Sequence, residues 1–156
     1  MKHALVVGGS GMLAGVCRGL AERTHVVSVV ARGGARLEAL RSEITPVQID
    51  YSDLDAFEAA LDTAIAERGP IGLAVCWIRS RQPESLRLLA DKLPGESPLF
   101  HVLGTSGTPA VELVAVDYRV VRLGRKGDRW LADDEISAGV LEAIDRDAAD
   151  FLVGDP

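Results

Sequence analysis

The chain has 156 residues and a mass of 16.6 kDa, the length of one domain with enough interior to fold without a metal or disulfide staple. Hydrophobic residues make up 47% and charged residues 26%, a balance that excludes a disordered chain. The 17 Lys and Arg face 23 Asp and Glu, and the net charge of −6 argues against non-specific nucleic-acid binding, because the chain would repel phosphates.

The residues up to Val7 make a short apolar run that breaks at Gly8 and Gly9, where the core of a secretory signal would continue. No stretch approaches the ~20 apolar residues of a membrane span. Cys17 and Cys76 lie in apolar surroundings and read as buried free thiols of a reducing compartment. These features together predict a single-domain cytoplasmic protein over residues 1–156, with no membrane or nucleic-acid partner.

Along the chain, the hydrophobic pattern alternates between two periods. Ala4–Val7 reads as a doubly buried parallel strand. Met12–Arg23 has helical spacing, with Leu13, Val16, Cys17 and Leu20 on one face. Val26–Ala31 is a second strand, Arg36–Ser42 a short helix, and Thr45–Ile49 a third strand with Pro46 tolerable near its start. Ser52 or Asp53 caps a helix over Leu54–Arg68, which Gly69 and Pro70 end. Ile71–Ile78 is a fourth strand, Pro83–Leu93 a helix, and Leu99–Leu103 a fifth strand. Gly104–Pro109 is a loop, Ala110–Val116 a short helix or extended piece, and Val116–Leu123 a sixth strand. Gly124–Asp128 reads as a polar turn; Asp133 or Asp134 caps a last helix, Glu135–Asp147. The tail Asp150–Pro156 is expected to fray, with Phe151 and Leu152 able to tuck back.

The segment VVGGSGMLAG carries the chemistry. Gly8, Gly11 and Ala14 stand in a G-x-x-G-x-x-A pattern between a strand and a helix. The first glycine allows the sharp turn, the second lets a phosphate approach the backbone, and the small third residue packs helix on strand. The helix N-terminus then offers free N–H groups and its positive dipole end to a pyrophosphate. The second strand ends Val30-Ala31-Arg32-Gly33-Gly34, with no acid to read a ribose 2′-hydroxyl. Arg32, helped by Ser10 and Arg36, suits a 2′-phosphate instead, so NADP(H) is favoured over NAD(H).

At these residues the sequence resembles the short-chain dehydrogenase/reductase family. VVGGSGMLAG is similar to that family's T-G-x-x-G-x-x-G turn, with Val7 for Thr and Ala14 for the last Gly; ARGG is similar to its NADP-type second-strand end. QIDYSD is similar to its third-strand end. The resemblance implies that Asp50 meets the adenine amino group and that Tyr51 lies beside it. It covers roughly residues 1–106 and is strongest over the first 55 or so. It implies a Rossmann-like α/β fold: a three-layer, doubly wound parallel sheet of order 3-2-1-4-5-6, with the dinucleotide across the strands' carboxyl ends.

The departures are equally specific. The family's N-N-A-G at the fourth strand reads Cys76-Trp77-Ile78-Arg79; Trp77 is a candidate wall of the cofactor cleft. Thr105 and Ser106 stand where the family has its catalytic Ser, and Tyr118 follows near the family spacing, but its +4 residue is Arg122, not Lys. Moreover, DYRVVRLG alternates like a strand. In a strand Tyr118 and Arg122 would lie about 13 Å apart, too far for Arg122 to tune the phenol. The family's longer C-terminal region, which builds its substrate pocket, is represented by a single helix. A substrate site would then come from the loops Arg79–Gln82 and Gly104–Pro109 or from a partner chain.

His3, His25 and His101 make no metal-ligand spacing, and Arg122, Arg125, Lys126 and Arg129 read as a solvated hairpin tip. The expected function is an NADP(H)-dependent oxidoreductase on a small carbonyl or alcohol. Gly8, Ser10, Gly11, Met12, Arg32, Asp50, Tyr51 and Trp77 would bind the cofactor, and Thr105, Ser106 and Tyr118 are the catalytic candidates. The alternative is a non-catalytic NADP(H)-binding sensor or assembly module. Homo-oligomerisation is expected of so short a core, whose sheet edges need cover.

Overall fold

A computed structural model describes residues 2–8, 11–23, 25–79, 81–104, 113 and 115–156. Its strands β1 (His3–Val7), β2 (Val26–Ala31), β3 (Thr45–Gln48), β4 (Ile71–Cys76), β5 (Pro98–Gly104), β6 (Asp117–Leu123) and β9 (Asp150–Val153) form one sheet. The order is β3-β2-β1-β4-β5-β6-β9 and every pairing is parallel. The doubly wound order 3-2-1-4-5-6 that the resemblance implies is present, with one further strand at its edge.

Helices α1 (Ala14–Glu22), α2 (Ala35–Ala39) and α5 (Asp133–Asp145) supply buried residues to one face of the sheet, and α3 (Leu54–Arg68) and α4 (Pro83–Asp91) to the other. The central strand shows why its sequence is apolar throughout. Ala4 and Val6 join the first cluster, Leu5 and Val7 the second, and all four are fully buried. A strand wet on one side would alternate instead. Each fully buried Val or Leu here contributes about 1.5–3 kcal/mol relative to exposure. Both cysteines are buried and neither is in a disulfide. Burial pushes the Cys17 thiol up to about 12 and moves Cys76 the same way, so neither is a ready nucleophile.

Three expectations need correction. The tail does not fray: Asp150–Val153 is β9, paired with Val120–Leu123 of β6. Asp147 takes a positive φ of 54° after α5. Arg119 holds the reversal, donating from Nη1 to the Asp147 carbonyl at 2.6 Å and pairing with the carboxylates of Asp117 and Asp147. The polar turn read over Gly124–Asp128 is partly strand: β7 (Arg125–Lys126) pairs with β8 (Arg129–Trp130) in the exposed hairpin that the basic cluster implied, and the Arg125 guanidinium stacks 4.7 Å from the Trp130 ring centroid. Finally, α5 begins at Asp133, with Ala132 as its N-cap. Alanine has no side-chain acceptor; instead the Glu135 carboxylate accepts the Ala132 N–H at 2.8 Å, half of a capping box.

Elsewhere the elements differ from the sequence reading at their ends. β4 stops at Cys76, α4 at Asp91, and α1 starts at Ala14. The expected Gly104–Pro109 loop and the Ala110–Val116 piece lie largely outside the described residues.

Candidate functional site

The carboxyl ends of β1, β2 and β4 converge on the glycine turn. Gly8 leaves β1 with φ +82° and donates its N–H to the Val30 carbonyl at 2.8 Å. A Cβ on Gly8 would lie 3.2 Å from the Trp77 carbonyl oxygen, a tight contact that adds to the preference of the positive φ for glycine. Over Gly11, Arg36 Nη1 sits 3.0 Å from where a Cβ would be. The Gly11 carbonyl accepts the Ala14 N–H at 3.0 Å and opens α1, whose N-cap, Leu13, provides no side-chain cap. The Ala14 N–H is thus taken, and no side chain caps the rest of the first turn, whose positive dipole end faces the glycine turn. Met12 is half-buried against the core, and its carbonyl accepts Ser137 Oγ of α5 at 2.7 Å. Ser10 lies outside the described residues.

Beside this turn is a cleft of ≈ 420 Å³, within the usual size of small-molecule sites. Gly8, Arg32, Gly33, Asp50, Tyr51 and Trp77 line it, together with Arg79 and Arg81 from the β4–α4 turn. Asp50 is the one carboxylate among the described lining residues. Its Oδ1 accepts the Ser52 N–H at 2.9 Å and Ser52 Oγ at 2.7 Å. These bonds, with Arg32 nearby, hold its carboxyl below the ordinary range. The Tyr51 hydroxyl accepts the Arg79 N–H at 3.2 Å, and its carbonyl accepts Ser85 Oγ at 2.8 Å. Tyr51 thus ties the β3–α3 turn to the β4–α4 turn across the cleft.

The charge distribution is uneven. Among the described residues, most arginines are paired with carboxylates. The side chains of Arg32, Arg36, Arg79 and Arg81 have no such partner, and all four surround this turn and cleft. Arg125, which also has no carboxylate partner among the described residues, is taken up by the Asp128 carbonyl and the Trp130 ring, so the other four make this a cleft suited to an anion carrying a flat ring.

The structure brings together Gly8, Gly11, Arg32, Asp50, Tyr51 and Trp77, with Met12 beside them. It places Tyr118 differently. Tyr118 lies in β6 opposite Leu99, a strand position as its alternating neighbours imply. Its hydroxyl is 2.7 Å from His101 Nδ1, and His101 Nε2 is 3.2 Å from the Ile78 carbonyl. The carbonyl can only accept, so Nε2 carries the proton and the tyrosine donates to Nδ1. Burial lowers the His101 pKa and raises that of Tyr118, keeping both neutral. Neither lines the cleft. Thr105 and Ser106 lie outside the described residues.

Trp77, expected as a wall of the cofactor cleft, borders more than that cleft. It also lines two neighbouring cavities, one with Leu123, Trp130, Leu131 and Ile136, the other with Arg79, Arg81, Val102 and Leu103. The indole is a shared wall along the carboxyl edge. The signal for this was its place just past a central parallel strand, where α/β sheets bind ligands. Arg81 and Gln82 were named only as part of a loop, because loop arginines carry no periodicity to mark their direction.

No family model matches the sequence, and no curated protein matches it. Solved structures do. The F189W actinorhodin polyketide ketoreductase with NADPH is similar at a TM-score of 0.76 and 15% identity, over 98% of this chain and 95% of that one. An alcohol dehydrogenase from the archaeon Thermococcus sibiricus, complexed with 5-hydroxy-NADP, is similar at 0.74 and 16% identity, over 97% and 95%. A short-chain dehydrogenase/reductase from Serratia marcescens is similar at 0.74 and 15% identity, over 98% and 96%. The chain has the Rossmann-like fold of the short-chain dehydrogenase/reductases.

Proposed function

We propose that the chain binds NADP(H) across the carboxyl ends of β1, β2 and β4 and is an oxidoreductase acting on a small carbonyl or alcohol. One observation carries this reading: a glycine turn before a helix with no side-chain cap opens on a cleft whose single described carboxylate is already hydrogen-bonded and which is edged by Arg32 and Arg36, which have no carboxylate partner among the described residues. Gly8, Ser10, Gly11 and Met12 would hold the pyrophosphate. Arg32 and Arg36 would hold the 2′-phosphate, Asp50 would accept from the adenine amino group, and Tyr51 and Trp77 would wall the rings. When bound, the dinucleotide supplies or accepts the hydride. Two similar folds were solved with NADPH and 5-hydroxy-NADP, which supports the choice of ligand class.

Calorimetric titration tests the reading. Wild type should bind NADPH more tightly than NADH. Arg32→Ala should weaken NADPH by about 10–100-fold, the equivalent of one lost charge-assisted contact of ~1.5–3 kcal/mol, and leave NADH nearly unchanged. Absence of binding by either dinucleotide overturns the proposal.

A second reading, a non-catalytic NADP(H)-binding sensor or assembly module, has its own support. The Tyr118 hydroxyl is engaged by His101 away from the cleft, and the +4 residue is Arg122. Thr105 and Ser106 would then be the remaining hydroxyls for chemistry. Turnover of NADPH with a carbonyl panel excludes this reading, and binding without turnover favours it. A homo-oligomer covering the sheet edges is part of either reading, and sedimentation showing only monomer at high concentration removes it.

A further inference from the structure

We infer that the β4–α4 turn is a second anion-binding station, in which Arg79 and Arg81 receive the carboxylate or phosphate of a substrate whose apolar body lies on Val102 and Leu103. The inference rests on the dinucleotide reading for its place in a reaction, but the station itself can be tested without the dinucleotide.

Three features meet at this turn. Arg79 and Arg81 both line the cleft that holds Arg32 and also the ≈ 480 Å³ cavity beyond Trp77. The described lining of that second cavity comprises Trp77, Ile78, Val102, Leu103 and Gly104 besides the two arginines, with no carboxylate. An apolar floor under two guanidinium groups fits an amphipathic anion better than a neutral carbonyl compound. The N-terminus of α4 opens directly behind. Its N-cap is Gln82, it has no side-chain cap, and Pro83 begins the helix. Glu84, the acid of that first turn, is ion-paired with Arg87, so it leaves the dipole's positive end unopposed.

The turn is also held in place. Arg79 N–H donates to the Tyr51 hydroxyl and the Gln82 N–H to the Arg79 carbonyl at 2.9 Å. These bonds hold Arg79 and Gln82, while the two guanidinium groups are exposed and have no ion-pair partner among the described residues, as a recognition site requires. The dinucleotide does not need them: Arg32, Arg36 and the α1 N-terminus already face its phosphates in the reading above. The substrate class that follows is a small oxo acid or oxo phosphate, or the corresponding hydroxy compound.

The test uses levulinate, methyl levulinate and hydroxyacetone phosphate as probes, with binding read by saturation-transfer NMR and calorimetry, with and without NADPH. Levulinate or hydroxyacetone phosphate should bind wild type, and the methyl ester should bind at least about tenfold more weakly. Which of the two anions binds more tightly distinguishes the carboxylate from the phosphate source. Arg79→Ala/Arg81→Ala should lose the anions' advantage and keep its NADPH affinity within about twofold. Arg79→Lys/Arg81→Lys should retain part of it. Among the described residues neither arginine side chain has a partner to lose, so an unchanged melting temperature shows that the variant is folded.

Equal binding of acid and ester, or no binding of either anion, overturns the station. A tenfold loss of NADPH in the double variant also overturns it, because the two arginines would then be reading the dinucleotide. If wild type binds the anions but no dinucleotide, the station stands and the NADP(H) reading falls.

Discussion

Gly8 shows how much one residue of the turn has to satisfy. Its φ of +82° puts an L side chain in the left-handed region, at a cost of roughly 1–2 kcal/mol. The missing Cβ also keeps clear of the Trp77 carbonyl, which is backbone and has little freedom to yield. Gly8→Ala should therefore lower the unfolding free energy by about 1–3 kcal/mol, measured by urea denaturation, and weaken NADPH binding by displacing Trp77. A stability change within about 0.5 kcal/mol would show that the turn tolerates a side chain. Residues like this are legible in sequence because the demand is local: a strand, a turn, a helix and the small residues that join them. Arg32 is legible for a similar reason, by its place at the end of the second strand. The His101–Tyr118 pair was not, since its bond depends on the β5–β6 register that sets Leu99 opposite Tyr118. Arg79 and Arg81 needed the structure too, because only the placement of the turn shows two cavities meeting at them.

Among the strands of the main sheet, β9 was the one that sequence patterning missed. DFLV is four residues long, too short for a strand to be separated from a tail by alternation. Its stability comes from a close approach instead. Val153 is buried and lies against Gly139 of α5, where an added Cβ would come 2.3 Å and 2.6 Å from the two Val153 methyl groups. Alanine at 139 would gain about 1 kcal/mol of helix propensity. The overlap with a β-branched side chain, which has little rotamer freedom, outweighs that gain. Gly139→Ala should therefore destabilise the protein by about 1–3 kcal/mol. Val153→Ala alone should cost about 1–3 kcal/mol through lost methyl burial and the cavity left. In the Val153→Ala background the 2.3 Å and 2.6 Å contacts are gone and only the Cβ at 3.0 Å remains, so Gly139→Ala should cost markedly less than in wild type. A double-mutant cycle of urea denaturation curves measures this coupling; additive losses would mean that α5 and β9 do not share this contact. The β-α repeat from β1 to β5 was legible because each of those strands is bracketed by turn residues and a helix with an apolar face.

At the scale of the whole molecule, the histidines set a pH dependence whose sign follows from burial. His3, His25 and His101 all have pKa values below the ordinary 6.5, each chiefly because burial disfavours the charged form. Below pH 6.5 the unfolded chain takes up protons that the native protein resists, so the unfolded state gains. The contribution is complete above the unfolded value and is lost as pH falls from there toward the native pKa values. His3 shows the structural cost. Its Nδ1–H donates to the Gly69 carbonyl at 2.8 Å, and Nε2 accepts Ser28 Oγ at 2.8 Å. Ser28 Oγ in turn accepts Arg68 Nε–H at 2.8 Å. A proton on Nε2 would turn that end of the network into opposed donors and set a second cation beside Arg68. Carboxylates act lower on the scale: Asp117, Asp145 and Glu135 are held below their ordinary values by arginine partners. Their stabilisation is lost only as pH falls below the ordinary carboxylate range, near pH 4. Net charge works the other way, since protonating histidines brings −6 nearer to zero and relieves repulsion. That effect is long-range and screened beyond about 8 Å at physiological ionic strength, whereas desolvation at His3 is not. In ~0.15 M salt the urea midpoint should therefore fall steadily from about pH 7.5 to about pH 5 with an unchanged m-value. His3→Gln, which keeps an amide donor and cannot titrate, should flatten the slope. A midpoint that stays level or rises across this range would mean that surface repulsion, not histidine burial, governs the acid side.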